Sequence, residues 1–135
     1  MQVSSAFVAD PDLIDELEKR AKPFAFGSDR VLFHQGDAPK GVFILRRGSA
    51  ILTNLSDGDA LLNVEAGPGS LLGVPAVVGS KPYSLTAEAV EGAEVSVLTC
   101  DDFVHLMHTE PTLSFRVLQV LAEEVRFARE ALAQL

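Results

Sequence analysis

Few side chains in this chain are placed to do chemistry. His105 and His108 stand three apart, with Glu110 two further on. On a helix that spacing presents two ligands on one face. No third local ligand follows, so they read as a surface pair and no metal site is expected. Cys100 is the sole cysteine, which excludes an internal disulfide and a cysteine-based zinc cluster. As a nucleophile it lacks a neighbouring histidine and acid, and it reads as a small apolar residue at a strand end. Gly69-Ser70-Leu71-Leu72-Gly73 departs from the Gly-x-Ser-x-Gly spacing of a nucleophile elbow. His34 is the one histidine of the strand-rich region, too few for a cupin metal centre, and alternation turns it outward. Asp57 and Asp59 flank Gly58 at a turn, where solvated carboxylates need no function. No catalytic residue is expected, and the chain does not read as an enzyme.

The elements that carry these residues are legible from periodicity. Asp10-Pro11 opens a helix over 11–22, with Leu13, Ile14 and Leu17 at helical spacing and Pro23 as its stop. Over 24–99, short apolar runs alternate with turn residues, among them Ser56-Asp57-Gly58-Asp59 and Gly67-Pro68-Gly69. The runs are 24–26, 31–33, 42–45, 50–55, 60–64, 70–74, 84–89 and 94–98. The expected fold is mainly β with flanking helices: an eight-stranded jelly-roll β-barrel, or double-stranded β-helix. Asp101-Asp102 caps a short helix over 101–108. A long helix over 111–135 carries an apolar stripe of Leu113, Val117, Leu121, Val125, Ala128, Leu132 and Leu135, with Phe115, Leu118 and Phe127 off it. Its first half can lie on the barrel. Its second half calls for a partner, most simply the same helix of a second copy, so Val117, Leu121, Val125, Ala128 and Leu132 are the expected dimerisation residues. Arg116, Arg126 and Arg129, with Glu123, Glu124 and Glu130, read as its solvated face. The 135 residues form one domain in this reading.

Charge and composition narrow the partners. Eleven basic against nineteen acidic residues give a net charge of -8, which repels a phosphate backbone, so no nucleic acid is expected to bind this chain alone. No apolar run is long enough to span a bilayer, and the amino terminus is not a secretory signal. A cytoplasmic location without membrane contact is the expectation.

The order helix, strands, short helix, long helix resembles the cyclic-nucleotide-binding domain of the Crp-Fnr regulator type. Val31-Leu32-Phe33-His34-Gln35-Gly36-Asp37 and Gly41-Val42-Phe43-Ile44-Leu45-Arg46-Arg47-Gly48 resemble its opening strands, and Gly67-Pro68-Gly69 with Gly73 the run into its phosphate-binding cassette. The resemblance covers roughly Pro11 to Leu135. The helix-turn-helix domain that follows in those regulators has no counterpart here, so a stand-alone module is expected. It implies a ligand contacted by Gly73, Val74, Ala76, Lys81, Tyr83, Ser84 and Thr86. In the family, a glutamate of this cassette accepts from the ribose and an arginine pairs with the phosphate. Here Val74 stands at the first position and Tyr83 at the second, and Pro75 removes a backbone donor.

Three readings stay open at this point. The cassette is vestigial, and the domain serves dimerisation or contact with a partner protein. Or it holds a different small ligand, with Tyr83, Ser84 and Thr86 supplying hydroxyls. Or it binds cyclic AMP or cyclic GMP, the one candidate ligand of the resemblance, through Lys81, Thr86 and the backbone at Gly73. No resident cofactor is expected. The overall expectation is a non-enzymatic regulatory module that homodimerises through its last helix and carries a divergent phosphate cassette.

Overall fold

The computed structural model describes residues 2–56 and 59–133, the side chains of 2, 3 and 60–62 excepted. Nine strands and four helices follow one another: β1 Gln2–Ser4, α1 Pro11–Glu18, β2 Lys22–Pro23, β3 Val31–Phe33, β4 Gly41–Arg47, β5 Ala50–Ser56, β6 Asp59–Ala66, β7 Leu71–Leu72, α2 Val74–Gly79, β8 Thr86–Ala89, β9 Glu94–Thr99, α3 Cys100–Thr109 and α4 Pro111–Ala133. They form two sheets, of order β1-β6-β5-β8-β3 and β2-β9-β4-β7. All ladders are antiparallel except β1 on β6. The expected mainly β fold with flanking helices is present; among the described residues it has nine strands in two sheets, one more than the eight expected, and no closed barrel. β1 lies in a segment without strand alternation, and only its pairing along β6 makes it a strand. The 24–26 run is not a strand; its place on β9 is taken by Lys22–Pro23.

The four-stranded sheet is covered on both faces. In β4, Phe43 and Leu45 point into a cluster shared with the other sheet, through Phe33, Leu52 and Val64. Val42 and Ile44 point the other way, into a cluster with Leu13 and Leu17 of α1, Phe103 and Leu106 of α3, and Leu113, Val117 and Val120 of α4. A strand buried on both sides reads as a continuous apolar run, and Val42-Phe43-Ile44-Leu45 is one. Gly41 opens that strand because a Cβ there would lie 2.4 Å from the Leu98 carbonyl oxygen.

The helix boundaries follow local chemistry. Asp10 caps α1 by accepting from the Asp12 amide at 2.9 Å, with Pro11 in the first turn. The helix ends at Glu18, short of the expected residue 22, because Lys22–Pro23 is taken up by β9. Thr99 caps α3 by accepting from Asp102; Asp101 and Asp102 lie inside the first turn, where their charge suits the helix dipole. Arg116 on α4 lies 3.7 Å from Asp10 and 3.8 Å from Asp12, so it ties α4 to the start of α1 and is not a solvated charge. Asp57-Gly58 and Leu135 lie outside the described residues. Among the described residues no helix is long and apolar enough to cross a membrane, and no group of histidine, cysteine and acidic side chains could hold a metal ion.

Candidate functional site

The segment after β7 builds the cassette. Gly73 adopts φ 91°, a left-handed turn that only glycine enters cheaply, and starts the short helix α2. It also has no room for a side chain, since a Cβ would lie 2.9 Å from a ring carbon of Tyr83. Tyr83 is the centre of this region. Its ring stacks on Phe33 at 3.9 Å between centroids and 15° between planes. Its hydroxyl accepts from the amides of Lys40 at 2.9 Å and Gly41 at 3.2 Å, and donates to the Gly41 carbonyl at 2.9 Å. Its backbone amide donates to Asp37, and its carbonyl accepts from Gly36. Burial pushes the phenol above its ordinary pKa, so it stays a neutral donor.

The other expected ligand residues are not all gathered. Gly73, Ala76, Tyr83 and Ser84 line a void of about 40 Å³ together with Phe33, Leu72 and Glu124. That is room for one water molecule or so. Val74 is fully buried on the opposite side of α2, among the residues under α1 and α3. Lys81 is exposed beyond the end of α2 and lines neither this void nor the cleft beside it. Thr86 accepts from the Gln35 amide at 2.9 Å. The hydroxyls of Tyr83 and Thr86 are therefore engaged within the fold.

Beside the void lies a larger cleft, of about 630 Å³. Pro75, Val78 and Gly79 of α2, Ser84-Leu85, Asn54 and Phe7 form one wall, and Leu121, Glu124, Val125, Ala128, Ala131 and Leu132 of α4 the other. Glu124 lines both the cleft and the void. Its Oε2 is buried with no hydrogen-bond partner, and burial pushes the carboxyl up to about 8. The expectation that Glu124 is a solvated helix residue is thereby corrected. The signal was present in the spacing: Glu124 is four residues from Val120 and seven from Val117, both buried.

The stripe on α4 also divides differently from the expected one. Val117 is only 2% exposed and belongs to the chain's own core, because α4 docks through it onto α1 and α3. Phe127 packs edge-on to Phe7 with centroids 6.1 Å apart. Leu118, Val125 and Leu132 are 58%, 50% and 66% exposed. With Leu121 and Ala128 they step three, four, three and four residues along the helix, an a/d pattern that includes Leu118, which lies off the expected stripe. His34 faces outward beside Asp37 at 3.6 Å, His105 and His108 are exposed, and Cys100 donates to the Pro39 carbonyl at 3.4 Å.

The family model for the cyclic nucleotide-binding domain matches residues 23–110. The chain belongs to the cyclic nucleotide-binding domain family. It is 28% identical over 123 residues to the transcriptional activator protein Anr of Pseudomonas aeruginosa, covering 90% of this chain and 49% of that protein. It is 28% identical over 99 residues to the cyclic AMP receptor protein of Thermus thermophilus, covering 72% of this chain and 45% of that one. The cyclic nucleotide-binding chain thus spans about half the length of the curated relatives it matches. Among solved structures, the Thermus thermophilus catabolite activator protein superposes with a TM-score of 0.75 at 24% identity, over 97% of this chain and 62% of that one. A transcriptional regulator of Thermotoga maritima gives 0.73 at 22% identity, over 88% of this chain and 94% of that one. At that identity these structures speak for the fold. The relatives are regulators and the family is one of ligand-binding domains, not of enzymes.

Two outcomes follow from this geometry. Tyr83→Phe, which keeps the stacked ring but strips two amides and a carbonyl of their partner, is expected to cost about 1–3 kcal/mol, read from the urea midpoint. At Glu124 the folded chain keeps a proton that the unfolded chain loses near 4.5, so stability is complete below that pH and falls as pH rises towards about 8. Thermal melts from pH 5 to 9 should show that decline, and Glu124→Gln should flatten it and melt higher than the parent at pH 8.5.

Proposed function

We propose that this chain is a non-enzymatic regulatory module of the cyclic nucleotide-binding family, acting as one domain, in which the phosphate cassette has diverged and no longer holds a cyclic nucleotide in the family's manner. The observation that carries this reading is the Tyr83 ring. It stands where the resemblance places an arginine, stacks on Phe33 and leaves about 40 Å³ beneath Gly73. A cyclic phosphate there would meet no cation among the residues lining the void or the cleft, and would face Glu124. An anion buried without a partner costs several kcal/mol. The jelly-roll description of the two sheets is supported by the inner cluster they share and by the likeness to the Thermus activator.

We also propose that two copies associate through α4. Leu118, Leu121, Val125, Ala128 and Leu132 form a seam that their own domain leaves largely uncovered, and parallel pairing of two such helices would bury it. The relatives' cyclic AMP receptor and transcriptional activator roles suggest that such a dimer passes a signal onward. A partner protein is then the natural receiver.

Calorimetric titration with cyclic AMP and cyclic GMP is expected to give no saturable heat and no shift in melting temperature. Micromolar binding of either would overturn the divergent-cassette reading and favour a nucleotide sensor with non-standard contacts. Light scattering at micromolar concentration is expected to return the mass of a dimer, with Leu118→Glu shifting it to a monomer that melts cooperatively. A monomer mass for the parent chain would end the dimer reading.

A further inference from the structure

The segment ahead of α1 is fastened at both ends and meets α4 in between. β1 runs parallel to β6, from Gln2 beside Val64 to Ser4 beside Ala66. The chain then turns: the Ala6 amide donates to the Ser4 Oγ and the Val8 amide to the Ser5 carbonyl, both at 3.0 Å. It leaves the turn beside β7, where the Leu71 amide donates to the Phe7 carbonyl at 2.9 Å and the Ala9 amide to the Gly69 carbonyl at 3.0 Å. One end thus lies on the five-stranded sheet and the other on the run into the four-stranded sheet. From the turn, Phe7 points inward, 4% exposed, and its ring meets Phe127 of α4. That contact holds the far half of the helix. Leu113, Val117, Val120 and Leu121 pack the near half against α1 and α3; beyond Leu121, among the described residues, Phe127 is the one hydrophobic side chain of α4 packed on either buried cluster. Elsewhere the segment and the helix stand apart, across a polar groove of about 220 Å³ between Ser4 and Ser5 on one side and Glu123, Arg126 and Glu130 on the other. The segment leads into Asp10, which faces Arg116 of the same helix at 3.7 Å. It therefore meets α4 at two points, Arg116 and Phe127, roughly 16 Å apart along the helix axis. Two points fix a line.

We propose that residues 2–9 are a strap that seats α4 and can release it. Docked, Phe7 holds the helix beyond Leu121 against the inner cluster. Undocked, that half comes free while both sheets and the first half of α4 stay in place. The strap is held lightly where it starts. β1 is three residues long, lies at a sheet edge and pairs in parallel, the weaker of the two ladders per residue. Short edge segments of this kind open far more cheaply than the domain unfolds. The half it controls carries Val125, Ala128 and Leu132, so the strap decides where those side chains point. It acts whether or not the cassette takes a ligand and whether or not two copies meet; only its bearing on assembly rests on the seam proposed above.

The test is hydrogen exchange on the full chain, read by mass spectrometry in the Leu118→Glu background so that no second copy shields the helix. Phe127→Ala and Phe7→Ala remove the aromatic contact from either side. Ser4→Pro removes the strand amide and the hydroxyl that accepts from Ala6, and leaves both rings intact. In each variant the amides of 123–133 are expected to exchange roughly tenfold faster or more, while those of 113–120, β4 and β9 change by less than about twofold. Should Phe7→Ala not fold, the other two variants carry the same comparison. Unchanged exchange over 123–133 in Phe127→Ala or in Ser4→Pro would overturn the proposal. An equal rise over 113–120 and β4 would overturn it as well, because it marks a loss of global stability and not the release of one half of a helix.

Discussion

The cassette hangs on one phenol. Tyr83 reaches from the loop after α2 to the first residues of β4, where its hydroxyl meets two amides and a carbonyl. Those three backbone groups sit at the start of the central strand of the four-stranded sheet, next to β9 and β7. Buried backbone groups must find partners, and here a side chain supplies them at the end of the ladder. The same ring stacks on Phe33 and occupies the space a side chain at Gly73 would need. One residue thus joins both sheets and packs against the turn into α2. A group with all its hydrogen-bonding capacity engaged in the fold is a poor one for meeting a ligand as well.

Beside the small void of about 40 Å³ under Gly73 lies the larger cleft of about 630 Å³. One wall of that cleft is α4, and α4 divides its faces with some economy. Leu113, Val117 and Val120 seat it on α1 and α3, Phe127 pins it against Phe7, and Arg116 anchors it to Asp10 and Asp12. What remains is a seam towards solvent and one carboxylate turned inward. In an apolar setting that carboxylate is held neutral by the cost of desolvating its charge.

Much of this was legible in the residues. The continuous run Val42-Phe43-Ile44-Leu45 announced a strand covered on both faces, and Pro11 and Asp10 announced a helix start. That valine and tyrosine stand where the resemblance places an acid and a cation is legible there too. Other features were not. β1 has no alternation of its own and exists by pairing with β6. Thr99, not the two aspartates after it, caps α3, because a cap is decided by where the chain leaves β9. Leu118 and Val117 are adjacent and similar in type, and only the docking angle of α4 tells which belongs to the core and which to the seam.

By itself, then, the sequence determined the class of fold and the order of most of its elements, because these depend on residue type and on periods of two and 3.6. Tertiary structure alone decided that the Tyr83 hydroxyl is engaged, that Val74 faces away from the cavity and that the Glu124 Oε2 is left without a partner. Each of those is a matter of what lies opposite a side chain across two elements far apart in the chain. Hydrogen bonds and desolvation are set by that neighbour, which no local pattern names.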